Sequence, residues 1–522
     1  MAFGQVSRAW RPIAPYVRLL MLAISVAACS LAAEGASLVV GRELDADGLD
    51  PQRNGSTRAM QVTNLIYDTL LTMDRNGSIH PGIAGSWSVT EDGRRYTFTI
   101  RDGVKCHDGT LLDAAAVKAS VDRAIAPVTI NPNAPAWGPI TRSTVSGNVV
   151  TIELSERFEP FVSFLTSMPS AIICPASFEG ASFRPVGTGP FKLVNWVRND
   201  RMELAANADY RNFNPMIDNP GRPHIDRLTL RVIPEALARA AALRSGEVDM
   251  ADPSIEEAGA LAADPEFRLY VADLTGELMF AGFTLKVPPL DNPGIRRAIT
   301  MALNRQSYAD LAFAGLVKPA DCPVAPALLA FDPGHCAAWG TGYDPEGARA
   351  LLARAGFGPG NPLAIRILGP AREGWTSMYQ IMQQDLDAIG VKAEIDARES
   401  TSFFSLLAAS NASADGVPTL WASGISGVDP NYLYFLWKRP GFVNMGINAE
   451  LDALLEDQRV LAGAARADKI HEIERYLLVN SYMVPLLSPG WSWMMAYSAR
   501  IQGFKMGFMA SILFNDVEIV KK

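Results

Sequence analysis

The sequence is poor in the residues that hold metal ions. It has five histidines and five cysteines in 522 residues. The histidines lie in unrelated segments, as His80, His107, His224, His335 and His471. The last of them begins the stretch HEIER, which lacks the second histidine that a zinc-binding helix requires. The sequence therefore predicts no metal site and no cofactor.

Two other absences narrow the class of protein. Long basic runs are missing and the formal net charge is -8, which argues against a nucleic-acid partner. There is no Gly-x-Ser-x-Gly motif, and the GTG at 187–189 is followed by Pro190 and does not open a helix. Neither a nucleophile elbow nor a phosphate-binding loop is indicated. A secreted hydrolase, the rival from the enzyme class, therefore finds little support.

Residues 1–36 are predicted to be an export signal. Three arginines precede the run LLMLAISVAACSLAA, which has the short apolar core of a signal peptide. No later segment reaches the roughly 18 consecutive apolar residues of a membrane span. Cleavage is predicted either as a lipoprotein at Cys29 or within SLAAEGA, and the second is favoured because no polar tether follows Cys29. The mature chain is expected in the periplasm.

The other four cysteines would meet an oxidising compartment, where pairing is expected. Cys322 and Cys336 bracket PVAPALLAFDPGH, a proline-rich loop with no helical or strand periodicity. We predict a disulfide between them, since closing a loop of this size contributes about 3 kcal/mol in the chain-entropy model. The alternative is two unpaired thiols. Cys106 and Cys174 carry no spacing information, and their pairing is left open.

Residues 94–110, RRYTFTIRDGVKCHDGT, place a cysteine, a histidine and an aspartate side by side. The alternating apolar residues predict a half-buried strand, Asp-Gly predicts a tight turn, and VKC is expected to be the returning strand. Cys106 and His107 would then point to opposite faces, so they cannot share a metal ion. Thr110 and Asp113 are predicted to form a capping box for the next helix.

Later segments alternate between helical and strand patterns. NPGIRRAITMALNR begins with an asparagine cap and a proline at the first helical position. YDPEGARALLARAGFG starts in the same way and ends at Gly356, and TSMYQIMQQDLDAIGVKAEIDA runs from a helix into a strand. Such repetition is typical of an α/β domain. A chain of 522 residues is expected to form two or three domains.

Six stretches stand in a characteristic order: GLDPQRN, NLIYDTLLTMDRNGSIHPGIAGSWSVTEDGRRYTFTIRDGVKCHDGTLLDAAAVKASVDRAI, PVGTGPFKLVNW, ALRSGEVDM, PPLDNPGIRRAITMALNR and YDPEGARALLARAGF. In order and spacing they resemble the family 5 extracellular solute-binding proteins of bacterial ABC importers, which include dipeptide-, oligopeptide-, glutathione-, opine- and nickel-type receptors. The likeness covers the chain after about residue 38. It also makes Cys106 look like an inert replacement for a packing aromatic residue.

The resemblance implies an α/β fold with two lobes, the periplasmic binding protein fold of type II, cluster C. The expected parts are lobe I at 37–60, 186–278 and 488–522, an inserted subdomain of lobe I at 61–185, and lobe II at 279–487. Strands that cross between the lobes near 282–285 and 484–490 would form a hinge that closes around a solute.

The function implied by the resemblance is binding without catalysis. A monomeric receptor would capture a peptide-like or other polar solute between its lobes and deliver it to the permease subunits of an ABC importer. A periplasmic sensor or a peptide-carrying chaperone on the same fold is the alternative.

The family pattern also implies which residues face the solute. It suggests Arg372 as an anion contact, Trp375 and Phe403 as stacking walls, and Met60 and Asn64 as contacts from lobe I. For Arg372 the alternative is a solvated capping charge, and for Phe403 it is a place in the core.

Peptide receptors of the family usually present W-x-x-D-x-x-D-P, in which the first aspartate binds the free amine of the peptide. Here the stretch is LWASGISGVDPNY. Alignment from Asp429 and Pro430, the structural half of the motif, places Ser426 where that aspartate should be. A buried ammonium without its carboxylate costs about 3–5 kcal/mol.

We therefore predict that the solute is not an ordinary free-amine dipeptide or tripeptide. A modified peptide, an opine-like or sugar-containing conjugate or another polar solute is expected instead, stacked on Trp421 and hydrogen-bonded by Ser423 and Ser426. The alternative is that a carboxylate from another loop, such as Asp415, binds the amine.

Overall fold

The computed structural model describes Met1 and residues 35–54, 56–127, 134–180, 182–273, 276–439, 447–489 and 493–520. The predicted export signal, with Cys29, lies almost wholly outside these ranges. None of the helices within them is long and apolar enough to cross a membrane.

The strands form three sheets of four or more strands and three two-stranded sheets. Within the ranges given above, the strands are β1 Ser37–Arg42, β2 Leu71–Met73, β3 Ile79–Pro81, β4 Ala84–Val89, β5 Arg95–Ile100, β6 Ile140–Ser146, β7 Val149–Leu154, β8 Phe191–Val197, β9 Arg201–Ala206, β10 Arg227–Val232, β11 Met250–Ala251, β12 Phe267–Val271, β13 Glu277–Phe283, β14 Lys318–Pro319, β15 Leu363–Pro370, β16 Val391–Arg398, β17 Thr419–Ser426, β18 Val484–Ser488, β19 Met494–Ser498, β20 Ile501–Gln502, β21 Lys505–Met506, β22 Ile512–Leu513 and β23 Glu518–Ile519.

Helices cover the faces of these sheets. In chain order they are α1 Thr57–Ile66, α2 Ala114–Ala124, α3 Pro160–Phe164, α4 Ala236–Ser245, α5 Ile255–Ala263, α6 Pro293–Ala302, α7 Arg305–Ser307, α8 Pro333–Trp339, α9 Pro345–Arg354, α10 Trp375–Ala388, α11 Ser400–Ala412, α12 Tyr432–Trp437, α13 Ala449–Val460 and α14 Gly463–Val479. The predicted caps of α6 and α9 are confirmed, because Asn292 and Asp344 accept hydrogen bonds from backbone N–H groups of their own first turns.

Two large sheets organise the chain into two lobes. The seven-stranded sheet has the order β12-β19-β11-β1-β10-β9-β8, and the six-stranded sheet has the order β14-β18-β13-β17-β15-β16. We call the parts built on them lobe I and lobe II. A separate four-stranded sheet, β4-β5-β7-β6, carries its own apolar core with α2.

Helices pack against both faces of the six-stranded sheet. One face contacts α6, α9 and α10 through residues such as Ile299 and Met378, and the other contacts α11, α13 and α14 through residues such as Leu407 and Leu455. Successive residues of a strand point to opposite faces. Leu420 of β17 therefore enters the first core and Trp421 the second.

The crossings between the lobes lie outside the strands. β12 ends at 271 in the seven-stranded sheet and β13 begins at 277 in the six-stranded sheet, so the first crossing falls between them. The prediction of a crossing near 282–285 is wrong, because those residues end β13 and follow it inside lobe II. For the second crossing, β18 ends at 488 in the six-stranded sheet and β19 begins at 494 in the seven-stranded sheet; residues 490–492 are outside the described ranges.

The stretch RRYTFTIRDGVKCHDGT forms a strand, β5, and then a compact loop. The predicted returning strand is absent there, where the pairing is one isolated bridge between Lys105 and Leu111. Asp113 alone caps α2, accepting from the Ala116 N–H at 2.8 Å, so the predicted capping box is wrong. Thr110 instead donates to Asp108 at 2.7 Å.

Disulfides join the four cysteines that follow Cys29. Cys106 pairs with Cys174 across 68 residues, so it is neither a free thiol nor a mere packing residue. Cys322 pairs with Cys336 across 14 residues. His107 beside the first disulfide is half-buried, and burial lowers the pKa of its imidazole to about 4. The imidazole is therefore neutral at physiological pH.

Candidate functional site

The carboxyl ends of parallel strands from both lobes face one another. In lobe I, β1 runs parallel to β10 and β11. In lobe II, β15 runs parallel to β16 and β17. In open α/β sheets, ligands bind in the crevice outside the carboxyl ends of the strands. The candidate site is therefore the cleft between these two edges.

A turn after β15 brings the two lobes into contact. The Glu373 Oε1 atom accepts a hydrogen bond from the Ile255 backbone N–H at 2.8 Å, and Ile255 is the first residue of the lobe I helix α5. The next residue, Gly374, has a φ of 73°. A Cβ atom there would lie 2.6 Å from Phe313 and 2.8 Å from Ile255. Glycine thus permits the close approach of the lobes at this point.

Arg372 precedes this turn and faces charged residues of lobe I. Its Nη2 atom donates to the Ser400 hydroxyl at 3.1 Å. Desolvation and, after it, the like charge of Arg58 lower the pKa of the Arg372 guanidinium to about 10, while Glu43 opposes the shift. Arg58 is itself paired with Glu43 at 3.1 Å. Two guanidinium groups from opposite lobes therefore interact electrostatically across the cleft, and their positive charge favours an anionic ligand.

A third arginine stands behind this pair in lobe I. Arg42, the last residue of β1, is buried with 5% of its surface exposed, and its Nη2 atom donates to Gln61 Oε1 at 2.8 Å. Burial lowers the pKa of the Arg42 guanidinium, whereas Asp252 raises it. Asp252 also accepts from the Glu43 backbone N–H at 3.1 Å. The charged edge of lobe I is thus held by its own hydrogen bonds.

A cavity of about 110 Å³ lies beside the cleft, mainly within lobe I and the four-stranded part. Met60 and Asn64 from α1 line it, together with Val428 that follows β17. Its walls include five methionines: Met60, Met73, Met168, Met216 and Met509. Methionine is flexible and polarisable, so such a wall adapts to apolar groups of different shapes.

Polar groups of the same cavity are incompletely satisfied. Among the described residues, no hydrogen-bond partner reaches Asn64 Oδ1 or Asn515 Nδ2, although the Asn64 Nδ2 atom donates to the Ile512 carbonyl at 2.9 Å. Asp68 accepts from the Thr188 hydroxyl at 2.7 Å, and burial raises the pKa of its carboxyl to about 6. The cavity therefore offers both apolar contacts and hydrogen-bonding groups.

Three aromatic residues predicted to stack on a solute are in the core instead. Trp375, Phe403 and Trp421 are 1%, 0% and 1% exposed. Trp421 packs edge-on against Phe280 at 5.4 Å between ring centroids. Because these rings present no surface to the cleft, the prediction that they stack on a solute is corrected to a packing role.

The two serines predicted beside the solute both lie in β17 but have different surroundings. Ser423 shares its face of β17 with Trp421 and is 6% exposed, so it is a core residue and the predicted solute hydrogen bond is corrected. Ser426 ends β17 at the cleft edge and is half-buried. Asp415 precedes β17 at the opposite end of the strand, so it does not supply a carboxylate beside Ser426.

Asp429, followed by Pro430, has its own buried partner. The two carboxylate oxygens of Asp429 accept hydrogen bonds from Arg466 at 2.9 and 2.5 Å, and Oδ1 also accepts from the Asn431 N–H at 2.8 Å. This bidentate pair ties the loop after β17 to α14.

Sequence reasoning missed several residues of the cleft. Arg42 and Glu43 directly follow the strand SLVVG, and Glu373 directly follows Arg372. The signal that would have found them is their position at the carboxyl end of a strand that reads as parallel. Arg58 carries no such signal, because it lies in the first turn of α1 and reaches the cleft only through the fold.

The comparisons with known proteins agree with this architecture. Residues 78–443 match the model of the bacterial extracellular solute-binding proteins, family 5. The glutathione-binding protein GsiB of Salmonella paratyphi A is 32% identical over 402 residues, which cover 74% of each chain. The same-named protein of Escherichia coli O1:K1 is 30% identical over 391 residues, or 72% of each.

Solved structures show the same fold. The ABC transporter substrate-binding protein CtaP from Listeria monocytogenes superposes with a TM-score of 0.80 at 21% identity, covering 93% of this chain and 100% of that one. The periplasmic binding protein DppA from Helicobacter pylori, in complex with the peptide STSA, gives 0.76 at 21% identity, covering 93% and 98%. With a family model that matches most of its length, this chain belongs to the bacterial extracellular solute-binding proteins of family 5.

Proposed function

We propose that this receptor binds an anionic, modified peptide such as glutathione and delivers it to the permease of an ABC importer. The observation that carries the proposal is the unfavourable electrostatic interaction between two guanidinium groups of opposite lobes, Arg58 and Arg372. A carboxylate between them would relieve the repulsion of like charges and hydrogen-bond both lobes at once.

The chemistry of glutathione suits this arrangement. It is a tripeptide with two carboxylates and a γ-glutamyl linkage, and relatives that are 30–32% identical carry the name glutathione-binding protein. Ser426 stands where a peptide receptor of the family places the aspartate for a free α-amine. The cavity beside the cleft supplies flexible methionine walls for the rest of the solute. An opine-like or sugar-containing conjugate with a carboxylate would satisfy the same groups.

Closure around the solute would convert binding into a shape that the permease recognises. We propose that the receptor acts as a monomer in the periplasm and is cleaved within SLAAEGA, without a lipid on Cys29. Mass spectrometry of the mature amino terminus distinguishes this from lipidation. Small-angle scattering is expected to show compaction when a binding solute is added.

Calorimetric titration tests the solute class. Glutathione, its diethyl ester and a panel of unmodified dipeptides and tripeptides are titrated into the wild-type chain and into Arg372→Gln. We expect glutathione to bind, the ester to bind much more weakly, and Arg372→Gln to lose about 10- to 100-fold in affinity, because a hydrogen bond to a charged group contributes about 1.5–3 kcal/mol. Arg354→Gln is the matched control, since Arg354 is an exposed arginine at the end of α9.

Two outcomes would contradict the proposal. Sub-micromolar binding of several unmodified dipeptides would show that the missing aspartate does not matter. Equal affinity of wild type and Arg372→Gln for the anionic solute would show that the arginine pair does not bind the solute.

A further inference from the structure

The buried carboxyl group of Glu474 lies against the Cys322–Cys336 disulfide. Glu474 of α14 is fully buried, as are Cys322 and Cys336, with exposures of 0%, 2% and 0%. Helix α8, which contains Cys336, packs on α14. Leu478 and Phe331 complete an apolar shell around the sulfurs.

The three side chains have the spacing of metal ligands. The sulfurs of Cys322 and Cys336 and a carboxylate oxygen of Glu474 all lie within 4.8 Å of one another. Cys336 Sγ is 3.6 Å from Glu474 Oε1. A tetrahedral zinc ion with sulfur and oxygen bonds of about 2.3 and 2.1 Å holds such a pair of ligand atoms about 3.6 Å apart. Once the disulfide is reduced, the two sulfurs separate to a similar non-bonded distance.

The carboxylate also has an oxygen to spare. Oε1 accepts from the Val324 backbone N–H at 3.1 Å, but nothing within the described ranges hydrogen-bonds Oε2. The nearby stacked imidazoles of His335 and His471 already contact the backbone carbonyls of His471 and Ala330 through Nε2. They are therefore not counted as ligands. Within the described part of the chain, the Cys106–Cys174 pair has no third ligand-bearing residue at this spacing.

We propose that the reduced form of Cys322 and Cys336, together with Glu474, binds one thiophilic d10 cation of the Zn²⁺ or Cd²⁺ class. A dithiol supplies the two electrons and two protons that convert the disulfide into two thiols, and is itself oxidised to a disulfide. The cation then displaces the two thiol protons, together with the carboxyl proton of Glu474 where it is present, and forms two metal–sulfur bonds and one metal–oxygen bond. Glu474 provides the oxygen ligand, and water fills the remaining position. The oxidised disulfide offers no thiolate, so the site exists only in the reduced chain.

Cadmium titration of the full chain tests the proposal. The protein is reduced with a phosphine, freed of reductant under argon and titrated with Cd²⁺, while the thiolate-to-cadmium charge-transfer band is followed in the ultraviolet. We expect one Cd²⁺ per reduced chain and none in the oxidised chain. Glu474→Gln is expected to weaken binding by about tenfold or more, because loss of even an outer-shell partner costs about 10- to 100-fold.

The other disulfide supplies the matched control. A chain with Cys106→Ser and Cys174→Ser is expected to keep the band after reduction, whereas Cys322→Ser is expected to lose it. The proposal is overturned if reduced and oxidised wild type take up the same amount of Cd²⁺, if Glu474→Gln binds as tightly as wild type, or if uptake follows the Cys106–Cys174 pair. The comparison of reduced with oxidised wild type needs no variant to fold.

Discussion

In the oxidised protein, the stability of Glu474→Gln relative to wild type is expected to increase as the pH rises. Burial, followed by the charge of Asp332, raises the pKa of the Glu474 carboxyl from 4.5 to about 8. In the unfolded chain the same group ionises at its ordinary value, so the folded state holds one more proton between about pH 4.5 and 8. The contribution of the Glu474 carboxyl to the free energy of unfolding is fully present below its pKa in the unfolded chain. It is lost as the pH rises through its pKa in the folded protein.

The magnitude follows from the difference between the two values. About 3.5 pKa units at 1.36 kcal/mol each correspond to about 5 kcal/mol of lost stability above pH 8. Glutamine is neutral at every pH, and its carbonyl oxygen can accept the same hydrogen bond from Val324. The advantage of Glu474→Gln over wild type is therefore expected to grow by about 1.4 kcal/mol per pH unit across this window. Any packing cost of the substitution is independent of pH.

Chemical unfolding of lobe II at several pH values from 5 to 9 measures this difference. The denaturant midpoints of Glu474→Gln and wild type are expected to diverge as the pH rises. Glu472→Gln is the control, because Glu472 lies on the same helix, is half-exposed and pairs with Lys469 at 2.6 Å. Infrared difference spectra provide a direct measure, since a protonated carboxylic acid should disappear near pH 8 in wild type and be missing in Glu474→Gln. A stability difference that stays constant from pH 5 to pH 9 would refute the reasoning.

Arg466→Leu leaves the Asp429 carboxylate buried without its partner, and we expect lobe II to lose about 3–5 kcal/mol of stability. Chemical unfolding measures this, and a loss no larger than that of the exposed Arg354→Leu would contradict it. Glu373→Ala removes the acceptor that joins the lobes, so solute affinity in calorimetry is expected to fall about tenfold at an unchanged melting temperature. Glu399→Ala, which deletes a carboxylate that caps α11 within lobe II, should leave affinity intact; equal losses would count against a role for the Glu373–Ile255 hydrogen bond.

Local patterns of the sequence predicted the elements better than the site. The caps of α6 and α9 and the strand β16 depend on neighbouring residues, so the sequence shows them directly. The direction of a side chain at the cleft depends on which face of a strand or helix the fold buries. That is why Trp421, which the sequence motif placed at the cleft, instead points into the core of lobe II.

Contacts between distant segments escaped the sequence for the same reason. Nothing near Cys106 or Cys174 in the chain indicates that loops 68 residues apart meet. The electrostatic interaction of Arg58 with Arg372 likewise links residues that are more than 300 positions apart. Such contacts follow from the packing of whole sheets, which local periodicity does not encode.

The like charges of Arg58 and Arg372 also affect a receptor that carries nothing. In an empty receptor Glu43 offsets part of the repulsion between these guanidinium groups, whereas a bound carboxylate would offset more of it, so closure is more favourable with an anionic solute than without one. The arrangement thus biases closure toward the loaded receptor. A transporter that responds to the closed shape would then be engaged mainly by loaded receptors, and ATP would rarely be hydrolysed for an empty one. Salt weakens this discrimination, because screening reduces the repulsion between the two guanidinium groups.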